Sequence, residues 1–264
     1  MLTNSEINSY LENGYLIRRA ALSGPDIETY RKAIDRLLHK CLIDRVHDGY
    51  LRYIDGERDD IWGVNNVFHP SIREDALVDS LANPQILDVI ESLIGKRLRY
   101  HLCTLLVNSE KKPYHINWHR DAASDGEVPQ EVLNSRLRSH VQLNGALYDD
   151  DSLYIVPGSH CRELTDAERS VLREKPNEEM PHQLVVELKA GDIVFYNSSI
   201  LHKGKNTNRK IRQTLHYAIV AITSESHPLN PDNPTDQEWL NDPEFLGNLP
   251  DRLKPLFDNW LKYR

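Results

Sequence analysis

From residue 97 onward the chain stops reading as helix and breaks into short apolar runs divided by turn residues. Runs at 97–107, 138–148, 153–156, 183–188, 193–196 and 212–222 have strand length and composition, interrupted by one capped helix that begins Thr165-Asp166-Ala167-Glu168. So many short strands in one block point to a sandwich or a jelly roll, and a double-sheet jelly roll offers a mouth where several strand ends converge on a small molecule. The expected fold is mainly β with flanking helices: a double-stranded β-helix with an α-helical N-terminal region and a C-terminal helix.

The first hundred residues read as mostly helical. Ile7, Tyr10 and Leu11 share a helical face behind a Thr3 or Asn4 cap, and Gly14 is placed to end that helix before Tyr15-Leu16-Ile17. A longer amphipathic helix starts near Ser23-Gly24-Pro25 and carries Ile27, Tyr30, Ile34, Leu37, Leu38 and Cys41. The third runs from Asn83-Pro84 to Gly95, with Ile86, Leu87, Val89, Ile90 and Leu93 apolar. Residues 45–70 are charged and turn-rich but hold Trp62, Val64 and Phe68, which reads as an irregular surface loop or a pocket wall. Past Ser224 the chain is irregular until a terminal helix with Leu253, Leu256, Phe257, Trp260 and Leu261 on one face, expected to pack on the jelly roll. With no repeat or flexible linker, residues 1–264 are expected to form one domain: 1–96 as helical support, 97–225 as the core, 226–264 as an extension.

A net charge of -8 and a pI near 5.8 argue against a nucleic-acid or anionic-membrane surface and leave a small-molecule substrate as the expected partner. The opening residues carry no basic and apolar leader pattern, and no apolar run approaches the ~18 residues of a membrane span, so a cytoplasmic protein is expected. Cys41, Cys103 and Cys161 are widely separated, which suits a reducing compartment and argues against a cysteine zinc site. Nothing in the sequence sets the oligomeric state.

The chemistry is concentrated in His119-Arg120-Asp121, His202 and Arg212. On an extended strand residues i and i+2 project the same way, so His119 and Asp121 can reach one metal while Arg120 turns elsewhere. His202 follows the strand-like run at 193–196, and Arg212 opens the next, beyond a turn expected at 204–208. Two imidazoles and one carboxylate form the facial triad that holds a catalytic non-heme Fe(II) with positions left open. An arginine on the neighbouring strand suits a carboxylate clamp. A His-x-Asp pair alone is common and carries little. The triplet also spells the catalytic loop of protein kinases, but that motif needs an Asn where this chain has Gly126, and no Asp-Phe-Gly follows. A zinc-dependent hydrolase uses the same ligand types, and a non-catalytic jelly-roll binding protein would share the shape; Arg212, which a zinc hydrolase does not require, favours iron.

Taken in order, His119-x-Asp121, then Leu153-Tyr154-Ile155-Val156-Pro157-Gly158-Ser159-His160, then Gly191-Asp192-Ile193-Val194-Phe195 leading to His202-Lys203-Gly204-Lys205-Asn206-Thr207 and Arg212, resemble the phytanoyl-CoA dioxygenase family over roughly residues 5 to 225. The resemblance implies a cupin-like fold and a dioxygenase using Fe(II), 2-oxoglutarate and O2. It implies His119, Asp121 and His202 as iron ligands and Arg212 as partner of the distal carboxylate of 2-oxoglutarate, with Arg209 as the alternative clamp. It further implies hydroxylation of an unactivated C–H bond with release of succinate and CO2. Related halogenases carry a small residue in place of the carboxylate, so Asp121 points to hydroxylation or another C–H oxidation.

Other polar residues have a plainer alternative each. Asn117 can touch cosubstrate or tie down the strand end, and Thr104 can donate to 2-oxoglutarate or be an ordinary strand threonine. Pro157-Gly158-Ser159-His160 reads as a turn, and His101, His140 and His216 as structural unless they face the mouth. Arg52, Arg58, Arg120, Arg136 and Arg138, with Tyr53 and Trp62, lie in or beside the segments expected to flank that mouth, a mix that suits a polar or anionic metabolite.

Overall fold

Thr3 opens the first helix, α1 (Asn4–Asn13), in a reciprocal capping box with Glu6, and Gly14 ends it at φ 80°, a conformation that favours glycine. The computed structural model describes residues 2–46, 50–54, 57–109, 111–121, 123, 126–207, 210–222 and 234–263. After β1 (Tyr15–Arg18), a second capping box between Ser23 and Asp26 starts α2 (Gly24–Leu42). Then come β2 (Leu51–Ile54), β3 (Glu57–Asn65), α3 (Asp75–Ala82) and α4 (Pro84–Ile94). The middle of the chain forms β4 (Leu98–Val107), β5 (Tyr114–His115), α5 (Gln130–Arg136), β6 (His140–Ala146), β7 (Asp150–Ile155) and α6 (Asp166–Glu174). It continues through β8 (Leu184–Leu188), β9 (Ile193–Asn197), β10 (His202–Asn206) and β11 (Gln213–Ala221), and ends with α7 (Pro243–Gly247) and α8 (Lys254–Lys262).

The strands form two antiparallel sheets, a seven-stranded one in the order β1-β9-β6-β11-β4-β3-β2 and a four-stranded one in the order β5-β10-β7-β8. Alternation along β11 sorts its two faces. Leu215, Tyr217, Ile219 and Ala221 join the large core beneath α2, α3 and α4, while Thr214, His216 and Ala218 project between the sheets. A smaller core of Leu153, Ile155, Val186 and Leu188 against Val194 and Tyr196 closes one part of the space between the sheets. The remainder is an open cavity. The terminal helix packs as expected: Phe257 stacks on Tyr100 with ring centroids 4.8 Å apart, and Asn259 Nδ2 donates to the Leu98 carbonyl at 2.8 Å.

All six expected strands and the five expected helices are present, and the fold is the jelly roll the strand block implies. The stretch 45–70, expected to be irregular, instead contains β2 and β3, which extend the larger sheet from β4 through pairs such as Val64 with Leu105. The run of four charged residues that opens β3, Glu57-Arg58-Asp59-Asp60, and the shortness of β2 hid them. β1 adds a further strand from the N-terminal region, paired with β9. The turn expected at 204–208 is displaced: β10 runs to Asn206 and pairs with β7, while Arg209 lies outside the described residues.

Candidate metal centre

His119 and His202 face each other across an isolated antiparallel bridge, in which each backbone N–H donates to the other's carbonyl, at 3.0 and 3.1 Å. This pairing sets the end of β10 against the segment that follows β5, and it places the two imidazoles 4.2 Å apart between ring centroids. Each ring is oriented from behind. His119 Nδ1 donates to the Asn117 carbonyl at 2.8 Å and His202 Nδ1 to the Ile200 carbonyl at 2.9 Å, which turns both Nε2 atoms toward the cavity. Asp121 comes from the same segment as His119, with Oδ1 at 3.5 Å from His119 Nε2 and 3.9 Å from His202 Nε2. Its second oxygen, Oδ2, accepts from Gln142 Nε2 of β6. The three ligand atoms lie within 4.8 Å of one another, and two imidazole nitrogens with one carboxylate oxygen are a donor set suited to Fe(II).

The electrostatics of Asp121 and His202 agree with that use, while His119 is drawn toward its charged form by Asp121. Burial alone would raise the Asp121 carboxyl, but the His202 charge interaction and the His119 hydrogen bond outweigh it and hold Asp121 well below the usual carboxylate range. Burial and the neighbouring His119 push His202 down to about 4, so it presents a neutral imidazole at neutral pH. For His119, burial lowers the value, and the hydrogen bond and charge of Asp121 raise it further than burial lowers it.

These residues line a cavity of about 400 Å³. Register along β11 gives the cavity an axis: Arg212 stands just ahead of the strand at one end, and Val220 pairs with His140 at the other. Arg212, expected on the strand, precedes it by one residue; its backbone N–H donates to Asn108 Oδ1 at 2.8 Å. The side chain is buried and held from two sides, with Nε donating to Asp150 Oδ2 at 2.9 Å and Nη1 to Tyr114 Oη at 2.7 Å. Thr214 also donates to Asp150 Oδ2, at 2.7 Å. Burial opposes the charge on Arg212, but Asp150 and Tyr114 outweigh it and raise the guanidinium above its ordinary value. Arg52 shares this end, its guanidinium 4.8 Å over the Trp62 ring and its Nε donating to Asn65 Oδ1 at 2.5 Å.

Several expected contacts fall elsewhere. The Thr104 hydroxyl is fully buried and donates to Asn65 Oδ1 at 3.4 Å, and Thr104 is not part of the cavity wall. The Asn117 side chain is exposed; the residue serves His119 through its backbone carbonyl. Arg120 turns away from the mouth and is consumed by the carbonyls of Gly126, Ser159 and Arg162. Arg138 and Tyr53 do not line the cavity, and the side chain of Arg58 lies outside the described residues. His101, His140 and His216 do line it. Burial and Arg52 push His216 down to about 3, and its Nδ1 donates to Asn144 Oδ1 at 2.8 Å. The sequence reading missed Gln142, Tyr114 and Asp150. Gln142 and Asn144 were available as two amides on alternate positions of an apolar strand, a pattern that marks a polar inner face. Asp150 sits in the run Asp149-Asp150-Asp151, which has the look of a solvated turn.

A model of the family described as phytanoyl-CoA dioxygenase (PhyH) matches residues 10–214. Among solved structures, EctD from S. alaskensis with 2-oxoglutarate and 5-hydroxyectoine aligns at a TM-score of 0.66 and 16% identity, covering 84% of this chain and 77% of that one. The non-heme alpha-ketoglutarate-dependent epimerase SnoN from nogalamycin biosynthesis aligns at 0.60 and 21% identity, covering 83% and 80%. AviO1 from Streptomyces viridochromogenes Tue57 aligns at 0.60 and 18% identity, covering 83% and 96%. At these identities the likeness speaks to the fold. No curated protein matches the chain.

Proposed function

This chain belongs to the phytanoyl-CoA dioxygenase family and is an Fe(II)/2-oxoglutarate-dependent oxygenase, and from that premise we propose that His119, Asp121 and His202 hold the iron and Arg212 the distal carboxylate of 2-oxoglutarate. The reaction is hydroxylation of an unactivated C–H bond in a small polar or anionic metabolite: one oxygen atom of O2 enters the substrate, the other enters succinate, and CO2 leaves. The observation that carries this reading is the convergence of two Nε2 atoms and one carboxylate oxygen, each fixed through its other polar atom, on one point of the cavity wall.

Bound there, Fe(II) with 2-oxoglutarate and O2 supplies the oxidant. The protein's own part is positional. The carbonyls of Asn117 and Ile200 fix the tautomer and rotation of the two imidazoles, and Gln142 stops the Asp121 carboxylate from rotating. Asp150 and Tyr114 aim the Arg212 fork into the cavity, where it suits a carboxylate better than a single ammonium would. Leu102, Leu106, Ile116 and Tyr196 supply apolar wall, which limits water at the reacting centre.

The test is anaerobic reconstitution with Fe(II) and 2-oxoglutarate. A weak visible charge-transfer band that needs both components is expected, followed by succinate when O2 is admitted. Folded protein that gives neither band nor succinate overturns the assignment, and tightly held zinc with O2-independent turnover would replace it with a hydrolase. We read residues 1–264 as one domain, since β1, β2 and β3 complete the larger sheet. A cytoplasmic location goes with this reading, because Cys41, Cys103 and Cys161 stand as free thiols. Among the described residues no helix is long and apolar enough to cross a membrane.

A further inference from the structure

The end of the cavity opposite Arg212 holds another arginine, Arg136, which feels the charge of Asp121 but makes no ion pair among the described residues. Arg136 closes α5, and Asn197 Nδ2 donates to its carbonyl at 3.1 Å, which fastens the end of that helix to the end of β9. Its side chain lines the cavity. Nη2 donates to His140 Nε2 at 3.4 Å, whereas Nη1 is buried with no hydrogen-bond partner. Among the described residues no carboxylate forms an ion pair with it. Ser198, the residue after Asn197, lines the same cavity at 5% exposure, and its Oγ is buried without a partner too. Buried N–H and O–H groups are ordinarily paired, and leaving them unpaired is costly. Two such groups in one wall indicate that something else supplies the acceptors.

The charge at this end identifies the acceptor. His140 accepts from Arg136 at Nε2 and donates through Nδ1 to Ser139 Oγ at 2.7 Å, and burial with the nearby Arg136 pushes it down to about 3, so it is neutral. Arg99 and His101 also act on His140, but Arg99 is not part of the cavity wall, so among the described residues Arg136 is the one arginine that lines this end beside the Ser198 hydroxyl. That matches a carboxylate, with one charge and two oxygens; a phosphate dianion would bring a second negative charge toward the Asp121 carboxylate. Distance narrows the substrate further. Gln142, which donates to Asp121, is two residues from His140 on the same face of β6, a step of about 7 Å.

Building on the oxygenase reading above, we propose that Arg136 and Ser198 seat a carboxylate of the substrate, so that the enzyme oxidises small organic acids at a carbon a few bonds from that carboxylate. Amino and hydroxy acids, each paired with its primary amide, form the probe panel, read as substrate-stimulated succinate release. Wild-type enzyme is expected to prefer acid over amide by roughly 10- to 100-fold in kcat/KM, the range of a hydrogen-bonded charge contact. In Arg136→Gln that ratio falls toward unity, in Arg136→Lys part of it survives, and Ser198→Ala lowers it by less. Because the ratio is taken within each protein, a general loss of rate does not enter it. Amides turned over as well as acids by the wild type, or an undiminished preference in Arg136→Gln, overturns the proposal. Wild-type protein that yields no succinate from 2-oxoglutarate counts against the oxygenase reading instead; acid and amide are then compared by calorimetric binding, where equal affinity overturns the carboxylate seat.

Discussion

A carboxylate with one idle oxygen can swing, and in this protein the second oxygen of Asp121, the proposed iron ligand, is taken up by Gln142. Replacing it with leucine keeps the volume and removes the donor, so Gln142→Leu is expected to weaken iron binding by roughly 10- to 100-fold, the usual cost of losing a partner behind a metal ligand. Iron titration of the folded variant checks this, and unchanged affinity would show that Asp121 needs no such support. Asp121→Ala, which removes the proposed ligand itself, is expected to lose substrate oxidation altogether; undiminished hydroxylation would sink the ligand assignment. Asp150 ties the site to pH. Burial alone would raise its carboxyl, yet the Arg212 charge and the Thr214 hydrogen bond hold it below the ordinary carboxylate value. A depressed carboxyl contributes stability that is present above its unfolded value of roughly 4 and lost as pH falls through the lower folded value. Acid unfolding of the wild type should therefore include a loss below about pH 4 that Asp150→Asn lacks, while the variant is less stable at pH 7 because Arg212 is left buried and unpaired.

Elements differ in how openly the sequence declares them. The capping boxes Thr3–Glu6, Ser23–Asp26 and Thr165–Glu168 mark helix starts at the residue where each begins, because a cap is a local contact between residues three apart. β2 and β3 were not legible, since β3 gains its place by pairing with β4, about forty residues on, and β2 in turn by pairing with β3. The same division holds for the site. His119, Asp121 and His202 were readable from residue type and spacing, but Arg120 and Arg136 look alike in sequence, and only packing sends the first into a nest of carbonyls and the second into the cavity. Gly14 shows an element boundary under two constraints at once. It sits at φ 80°, and a Cβ there would lie 2.5 Å from His160 Nδ1, the ring that reaches back to the Leu11 carbonyl at 3.0 Å. Gly14→Ala is expected to cost roughly 1–3 kcal/mol from backbone strain alone. A denaturant midpoint that does not move would mean that α1 ends elsewhere in solution.

At the scale of the whole molecule, the C-terminal helix is structural support for the sheet that carries the site. Leu253, Leu256, Phe257 and Trp260 are at most 4% exposed, and their neighbour Tyr100 lies on β4. At about 1.5–3 kcal/mol for each fully buried large apolar side chain, losing them approaches the 5–15 kcal/mol that holds a typical domain together. Truncation after Pro250 is therefore expected to give aggregated or unfolded protein; a soluble, cooperatively melting product would show that the tail is dispensable. The backbone bridge between His119 and His202 has a further meaning in the order of events. Residues so distant in sequence meet late, after loop closure has been achieved by the strands between them. Under the proposed ligand assignment, a chain still emerging from the ribosome presents His119 and Asp121 without His202, and so offers stray metal only an incomplete seat. Under that assignment a complete iron seat exists only once β10 has closed on the segment after β5, so the chemistry is expected to wait until the walls that contain it are standing.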